Sequence, residues 1–131
     1  MQMIAKELAI DLGHDEPGTL AKAAEAIGKA GINIDGFCET GDGIFHVVTK
    51  DPGGARRAVE AAGFRVRGER EVVVKDAPDR PGALADLLRP VSAAKVNVDV
   101  AYSLASGQVA IGSDEFAKLK EALNVESPAR V

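Results

Sequence analysis

The chain carries one stretch twice. Asp15-Glu16-Pro17-Gly18-Thr19-Leu20-Ala21 returns as Asp79-Arg80-Pro81-Gly82-Ala83-Leu84-Ala85, and each copy is followed at the same distance by a second signature, Asn33-Ile34-Asp35 and Asn97-Val98-Asp99. Laid on itself without a gap, the chain also matches Glu7 with Glu71, Ala30 with Ala94 and Gly43 with Gly107, and pairs Ile10 with Val74, Ile27 with Val91 and Ile32 with Val96. A repeat of this length is a whole small domain rather than a solenoid unit. It divides the chain into residues 1–68 and 69–131. Modules this small bury little surface alone, so the two are expected to pack on each other or on a second chain.

Each Pro-Gly turn sits between an alternating apolar run and an amphipathic run. Leu8, Ile10 and Leu12 alternate with Glu7, Ala9 and Asp11, the pattern of a half-buried strand. Pro17 suits a first helical turn, where its missing N–H costs nothing. Leu20, Ala23, Ala24, Ile27 and Ala30 then recur at helical spacing, and Gly31 stands at the C-terminal cap position. Ile32 to Glu39 alternates as a strand, Thr40-Gly41-Asp42-Gly43 is a hairpin signal, and Ile44 to Thr49 returns. Asp51-Pro52 opens a second helix, weakened by Gly53 and Gly54 in its first turn, and Phe64 to Arg67 closes the copy as a fourth strand.

The second copy repeats the order. Val72 to Val74 form its first strand, and a helix from about Pro81 to Ala94 places Leu84, Leu87, Leu88 and Val91 on its buried side, with Pro90 expected to bend or loosen it. Val96, Val98, Val100, Tyr102 and Leu104 share one face of the next strand. Gln108 to Gly112 returns, and Asp114 to Leu123 is the last helix. The final strand is expected to be short, frayed or incomplete. The order β-α-β-β-α-β, twice, predicts an α+β chain of two tandem ferredoxin-like modules, each an antiparallel four-stranded sheet with both helices on one face.

The composition narrows the function. A formal net charge of -4 argues against nucleic acid and against an anionic membrane surface. Aromatic residues are 4 % of the chain, with no Trp, so the core must be aliphatic. The lone Cys38 has no disulfide partner, which fits a reducing compartment, and its place in an apolar strand reads as a packed thiol. No signal peptide or membrane span is visible, so the expected location is cytoplasmic. No nucleophile motif, metal-ligand spacing or cofactor loop occurs, so no catalytic residue, metal site or cofactor is expected. His14 and His46, the only histidines, have no partner at metal spacing, and His14 adjoins the first turn either as a ligand contact or as a solvated loop residue.

The Pro-Gly turn is where chemistry is expected. The first N–H groups of a helix lack partners within it and attract anions, aided by the helix dipole. Gly18 and Gly82 lack a Cβ, so a ligand can approach the backbone. Asp15 or Asp79 would accept from an ammonium group, and Asn33 or Asn97 can donate and accept at once. These groups suit an α-amino acid. The same residues also serve an ordinary helix start with an Asp cap, and a duplicated turn keeps them for either reason.

The pattern resembles the ACT-domain family of small-molecule regulatory modules. The resemblance rests on Asp15 to Ala21 with Gly31-Ile32-Asn33-Ile34, and on Asp79 to Ala85 with Val96-Asn97-Val98, and it spans about residues 3 to 127. It implies amino-acid binding at an interface between two modules. The implied ligand-binding residues are Asp15, Pro17, Gly18, Thr19, Leu20, Asn33 and Ile34, then Asp79, Pro81, Gly82, Ala83, Leu84, Asn97 and Val98. With no catalytic domain present, the chain looks like a stand-alone tandem regulatory protein rather than an enzyme. It would sense an amino acid and modulate its own assembly, as a homodimer, or a biosynthetic enzyme. The alternative is a non-catalytic structural subunit of such an enzyme with no ligand site in use. The second copy departs from the pattern at Lys95, where Gly is common.

Overall fold

The computed structural model describes residues 3–13 and 16–125. Asp15, His14 and the positions of a last strand beyond Val125 lie outside the described residues.

The elements follow in the order β1 (Ile4–Asp11), α1 (Thr19–Lys29), β2 (Gly36–Glu39), β3 (Ile44–Val48), α2 (Pro52–Ala61), β4 (Arg65–Asp76), α3 (Ala83–Ala93), β5 (Val100–Ser103), β6 (Gln108–Gly112) and α4 (Phe116–Ala122). The strands form one antiparallel six-stranded sheet in the order β2-β3-β1-β4-β6-β5. This differs from the expected pair of four-stranded sheets. The expected boundary at 68/69 falls inside β4, a single strand whose first part pairs with the end of β1 and whose last part pairs with β6.

The exchange is reciprocal. Where the second copy would need a fourth strand beside β4, the start of β1 stands instead. Ile4 pairs with Val73, Ala5 with Val72, and the Val74 N–H donates to the Met3 carbonyl at 2.8 Å. Met3 and Ile4 pack against the core built by Val73, Val91, Val96, Ile111 and Leu119. The N-terminal strand therefore belongs to both halves.

The pairing also corrects the ungapped repeat in these strands. Asp11 pairs with Ile44, and Asp76 pairs with Gln108. Ile44 and Gln108 are repeat-matched, so Asp11 corresponds to Asp76, one residue beyond its ungapped match Lys75. A one-residue slip exchanges the two faces of a strand. Glu7 thus corresponds to Val72, not to Glu71. Glu7 and Val72 are buried, while Glu71 is exposed.

All four helices lie on one face of the sheet. Leu8, Ile10, Phe45, Val47 and Val66 meet Ala23 and Ile27 of α1 and Ala55 and Val59 of α2. Val73, Val109 and Ile111 meet α3 and α4 through Val91 and Leu119. Leu84, expected on the buried side, is half exposed. The stripe of α3 instead runs through Ala83, Leu87 and Val91, spaced by four. Leu20, its repeat mate, is likewise exposed. Helix α3 continues through Pro90 to Ala93. The Asp51 side chain caps α2 by accepting from the Gly54 N–H at 2.9 Å. A Cβ on Gly54 would overlap that carboxylate, so this glycine, expected to weaken the helix, makes room for its cap.

The other face of the sheet has no helix over it, yet it is not open. The sheet curls until its two edge strands meet. Gly36 bridges to Leu104, and the Ala105 N–H donates to the Asp35 carbonyl at 2.7 Å. The Leu104 side chain occupies the space a Cβ on Gly36 would need. Val48, Val72, Val100, Tyr102 and Ala110, with Ala5, Cys38 and Leu104, form a third apolar cluster inside the curl. No helix of the described residues is long and apolar enough to cross a membrane.

Candidate functional site

The two Pro-Gly turns share one geometry. Gly18 and Gly82 are the N-cap residues of α1 and α3, in the left-handed region at φ 92° and 84°. Only glycine adopts this conformation without steric cost. The Thr19 N–H donates to Glu16 and the Lys22 N–H to Gly18, just as the Ala83 N–H donates to Arg80 and the Asp86 N–H to Gly82. Among the described residues, no side chain caps either helix. Among the described residues, Leu20 and Ala21 have no backbone acceptor for their N–H groups. Pro17, Gly18 and Thr19 line a cavity of about 380 Å³ together with Lys22, whose ammonium lies 5.8 Å from the centre of the Phe64 ring. Lys22 was not foreseen from the sequence, although it lies in the first helical turn.

The asparagines stand elsewhere. Strand β2 begins at Gly36 rather than at Ile32, so Asn33 and Ile34 are loop residues beyond the far end of α1. Eleven helical residues span about 16 Å at 1.5 Å each, which separates Asn33 from Gly18 of its own copy. The Asn33 side-chain amide donates to Asp35 at 2.9 Å, and the Asn33 backbone carbonyl accepts from the Thr49 hydroxyl at 2.9 Å. Ile34 packs on the first core and Val98 on the second. In the second copy Asp79, Pro81, Gly82 and Asn97 are exposed and Ala83 is buried. Each asparagine stands at the end of its helix opposite the turn.

A second constellation lies inside the curled sheet. Glu7 on β1 is 1 % exposed and is held from three strands. The Tyr102 hydroxyl of β5 donates to Oε2 at 2.5 Å, His46 Nδ1 of β3 lies 3.1 Å from Oε1, and Arg70 Nε of β4 donates to Oε1 at 3.2 Å. The Arg70 guanidinium continues to Asp99 in a two-pronged pair, at 3.0 Å and 2.5 Å. A Cβ on Gly112 would run into that guanidinium, so the glycine keeps its berth open. Burial raises the Glu7 carboxyl's pKa, but the His46 and Tyr102 hydrogen bonds and the Arg70 charge outweigh it and hold the group below its ordinary value. Burial and the Glu7 charge push the Tyr102 phenol far above its usual range, so it remains a donor. The Arg70 hydrogen bonds hold Asp99 low. Burial, then nearby carboxylates, push up the Cys38 thiol, in keeping with a packed cysteine.

The sequence reading missed this cluster because it treated the Glu7–Ala9–Asp11 face as solvent. The signal was a lone tyrosine in a valine strand, on the side that the curl encloses.

No protein-family profile and no curated protein matches the chain. Among solved structures, protein BT0572 from Bacteroides thetaiotaomicron is 34 % identical with a TM-score of 0.79, over 93 % of this chain and 88 % of that one. The regulatory subunit of aspartate kinase from Thermus thermophilus, in its ligand-free form, is 20 % identical with a TM-score of 0.60, over 93 % and 91 % of the two chains. The Thermus flavus regulatory subunit is 18 % identical with a TM-score of 0.62, over 95 % and 92 %. The chain belongs to the family of the Bacteroides protein BT0572, and its fold is the ACT-like fold of the aspartate kinase regulatory subunits.

Proposed function

We propose that this chain is a non-catalytic regulatory protein that binds a free α-amino acid at the first Pro-Gly turn, in an assembly of two module-like halves, 1–68 and 69–131. The observation that carries this reading is the first turn itself. A helix start opened by glycine, with no side-chain cap among the described residues, faces a cavity that Lys22 also lines. Helix N–H groups, the positive end of the dipole and an ammonium together suit a carboxylate. The fold shared with regulatory subunits of aspartate kinase supports a regulatory rather than a catalytic role.

Asn33 lies too far from Gly18 to complete the site within one copy. The amino group is then met by Asp15, or by Asn33 of a second chain in a homodimer. A biosynthetic enzyme is the regulated partner under this reading, and Asp79, Pro81, Gly82 and Asn97 form the corresponding site in the second half. Calorimetry with free amino acids and their amides tests the proposal. The free acid should bind, the amide at least tenfold more weakly, and Lys22→Gln should weaken the acid several-fold. An amide that binds as well as its acid would remove the carboxylate from the turn and overturn the mechanism.

A further inference from the structure

We propose a second small-molecule site on the helix-free side of the sheet, in the cleft where β2 and β5 part beyond the Gly36–Leu104 bridge, and that it takes a small zwitterion of amino-acid type. The cleft holds a cavity of about 450 Å³, large enough for such a ligand. Its floor is the Glu7–Arg70–Asp99 cluster and its rim carries Arg67, Asp42 and His46. Most charges here are already partnered. Glu7 and Asp99 share Arg70, and Glu69 pairs with Lys6.

Three groups are left over. Arg67 forms no hydrogen bond or ion pair among the described residues. It is the extra residue of an irregularity in β4, where Ile10 pairs with Val66 and Ala9 with Gly68. Such a bulge redirects a side chain, and here Arg67 lines the cleft. Asp42 accepts from Thr40 and from the Ile44 N–H but pairs with no cation among the described residues. His46 turns Nδ1 to Glu7, and its Nε2 has no hydrogen-bond partner among the described residues. With Nδ1 donating to the carboxylate, Nε2 is left for a ligand.

The guanidinium suits a carboxylate, bidentately. The carboxylates of Asp42 and Asp99 suit an ammonium. Glu7 and Asp99 share Arg70, which also lies 3.9 Å from the exposed Asp114, so the floor carries a negative charge in excess that favours the amino end there. His46 Nε2 is left to hydrogen-bond the ligand. This site is separate from the Pro-Gly turn, which lies at the helix layer, and it does not depend on that turn binding anything.

The two histidine rings give the test a local probe. The His46 imidazole signal is followed by NMR in the full-length chain while each of the twenty standard amino acids is added singly, and the N-acetyl and amide derivatives of any binder are then compared. A saturable His46 shift is expected with the amino acid, with both derivatives at least tenfold weaker. Arg67→Gln should weaken binding at least tenfold and Asp42→Asn several-fold. Asn at 42 keeps an oxygen for Thr40 and Ile44, and Arg67 has no partner to lose, so both variants should fold. Lys22→Gln should leave the His46 shift unchanged. No saturable His46 shift with any amino acid, or binding that Arg67→Gln leaves intact, overturns the proposal. Binding lost in Lys22→Gln but kept in Arg67→Gln would also overturn it, and would place the ligand at the turn instead.

Discussion

The Tyr102 hydroxyl donates to Glu7 Oε2 at 2.5 Å across the inside of the curled sheet. Glu7 lies on β1 and Tyr102 on β5, an edge strand of the other half. With His46 and Arg70 on the same carboxylate, one buried group ties together β1, β3, β4 and β5. A buried charge held this way is costly to break, because removing one partner leaves the others unsatisfied.

Tyr102→Phe keeps the ring in the third apolar cluster and deletes only the donor. It should destabilise the chain by about 1–3 kcal/mol, the usual cost of a buried group left short of a hydrogen bond. Glu7→Ala strands the Tyr102 hydroxyl and the Arg70 guanidinium together and should cost more, about 3–5 kcal/mol. Urea denaturation measures both. A neutral Glu7→Ala would show that the cluster contributes nothing to folding.

Acid should unlock the same cluster. Glu7 and Asp99 titrate below their ordinary values of 4.5 and 3.8 in the folded chain and regain those values when unfolded. A depressed carboxylate stabilises the fold fully above its unfolded value, and that contribution is lost as the pH falls toward the folded value. The urea midpoint should therefore decline below about pH 4.5 through this cause. Tyr102→Phe removes one of the groups that depress Glu7, so the stability gap between wild type and this variant should narrow with acid. A gap that widens on acidification contradicts the assignment.

Closure of the curl depends on Gly36. A side chain there meets Leu104, so Gly36→Val should separate β2 from β5 or displace Leu104. The expected loss is about 1–3 kcal/mol, typical of overpacking. Hydrogen exchange gives a local readout, because the Ala105 N–H that donates to Asp35 should lose protection.

Sharing of β1 predicts a cross-effect between the halves. Ile4→Ser places a hydroxyl against the second core, although residue 4 precedes the first Pro-Gly turn. Amide protection in α3, α4 and β6 should fall more than in α1 and α2. An equal or opposite loss would show that β1 does not complete the second half.

Local chemistry fixed the succession of elements. Alternation in Leu8-Ala9-Ile10, helical spacing from Ala23 to Ile27 and the Pro-Gly breaks at 17–18 and 81–82 each specify an element within a few residues. They can therefore be read without knowing what lies across the sheet. The left-handed Gly18 and Gly82 belong to the same class, since a turn into a helix needs a residue without a Cβ at that backbone angle. Tertiary structure decided what no short window contains. The slip that pairs Asp76 with Gln108 sets which face Val72 and Val73 occupy, and it makes Val72 rather than Glu71 the counterpart of Glu7. Val73 must meet the helices while Val72 meets Tyr102, and that depends on packing partners far away in the chain. Period-two alternation identifies a polar face but not its surroundings. Only the meeting of Gly36 with Leu104 encloses Glu7, turning a face that reads as solvent-exposed into the floor of a cavity.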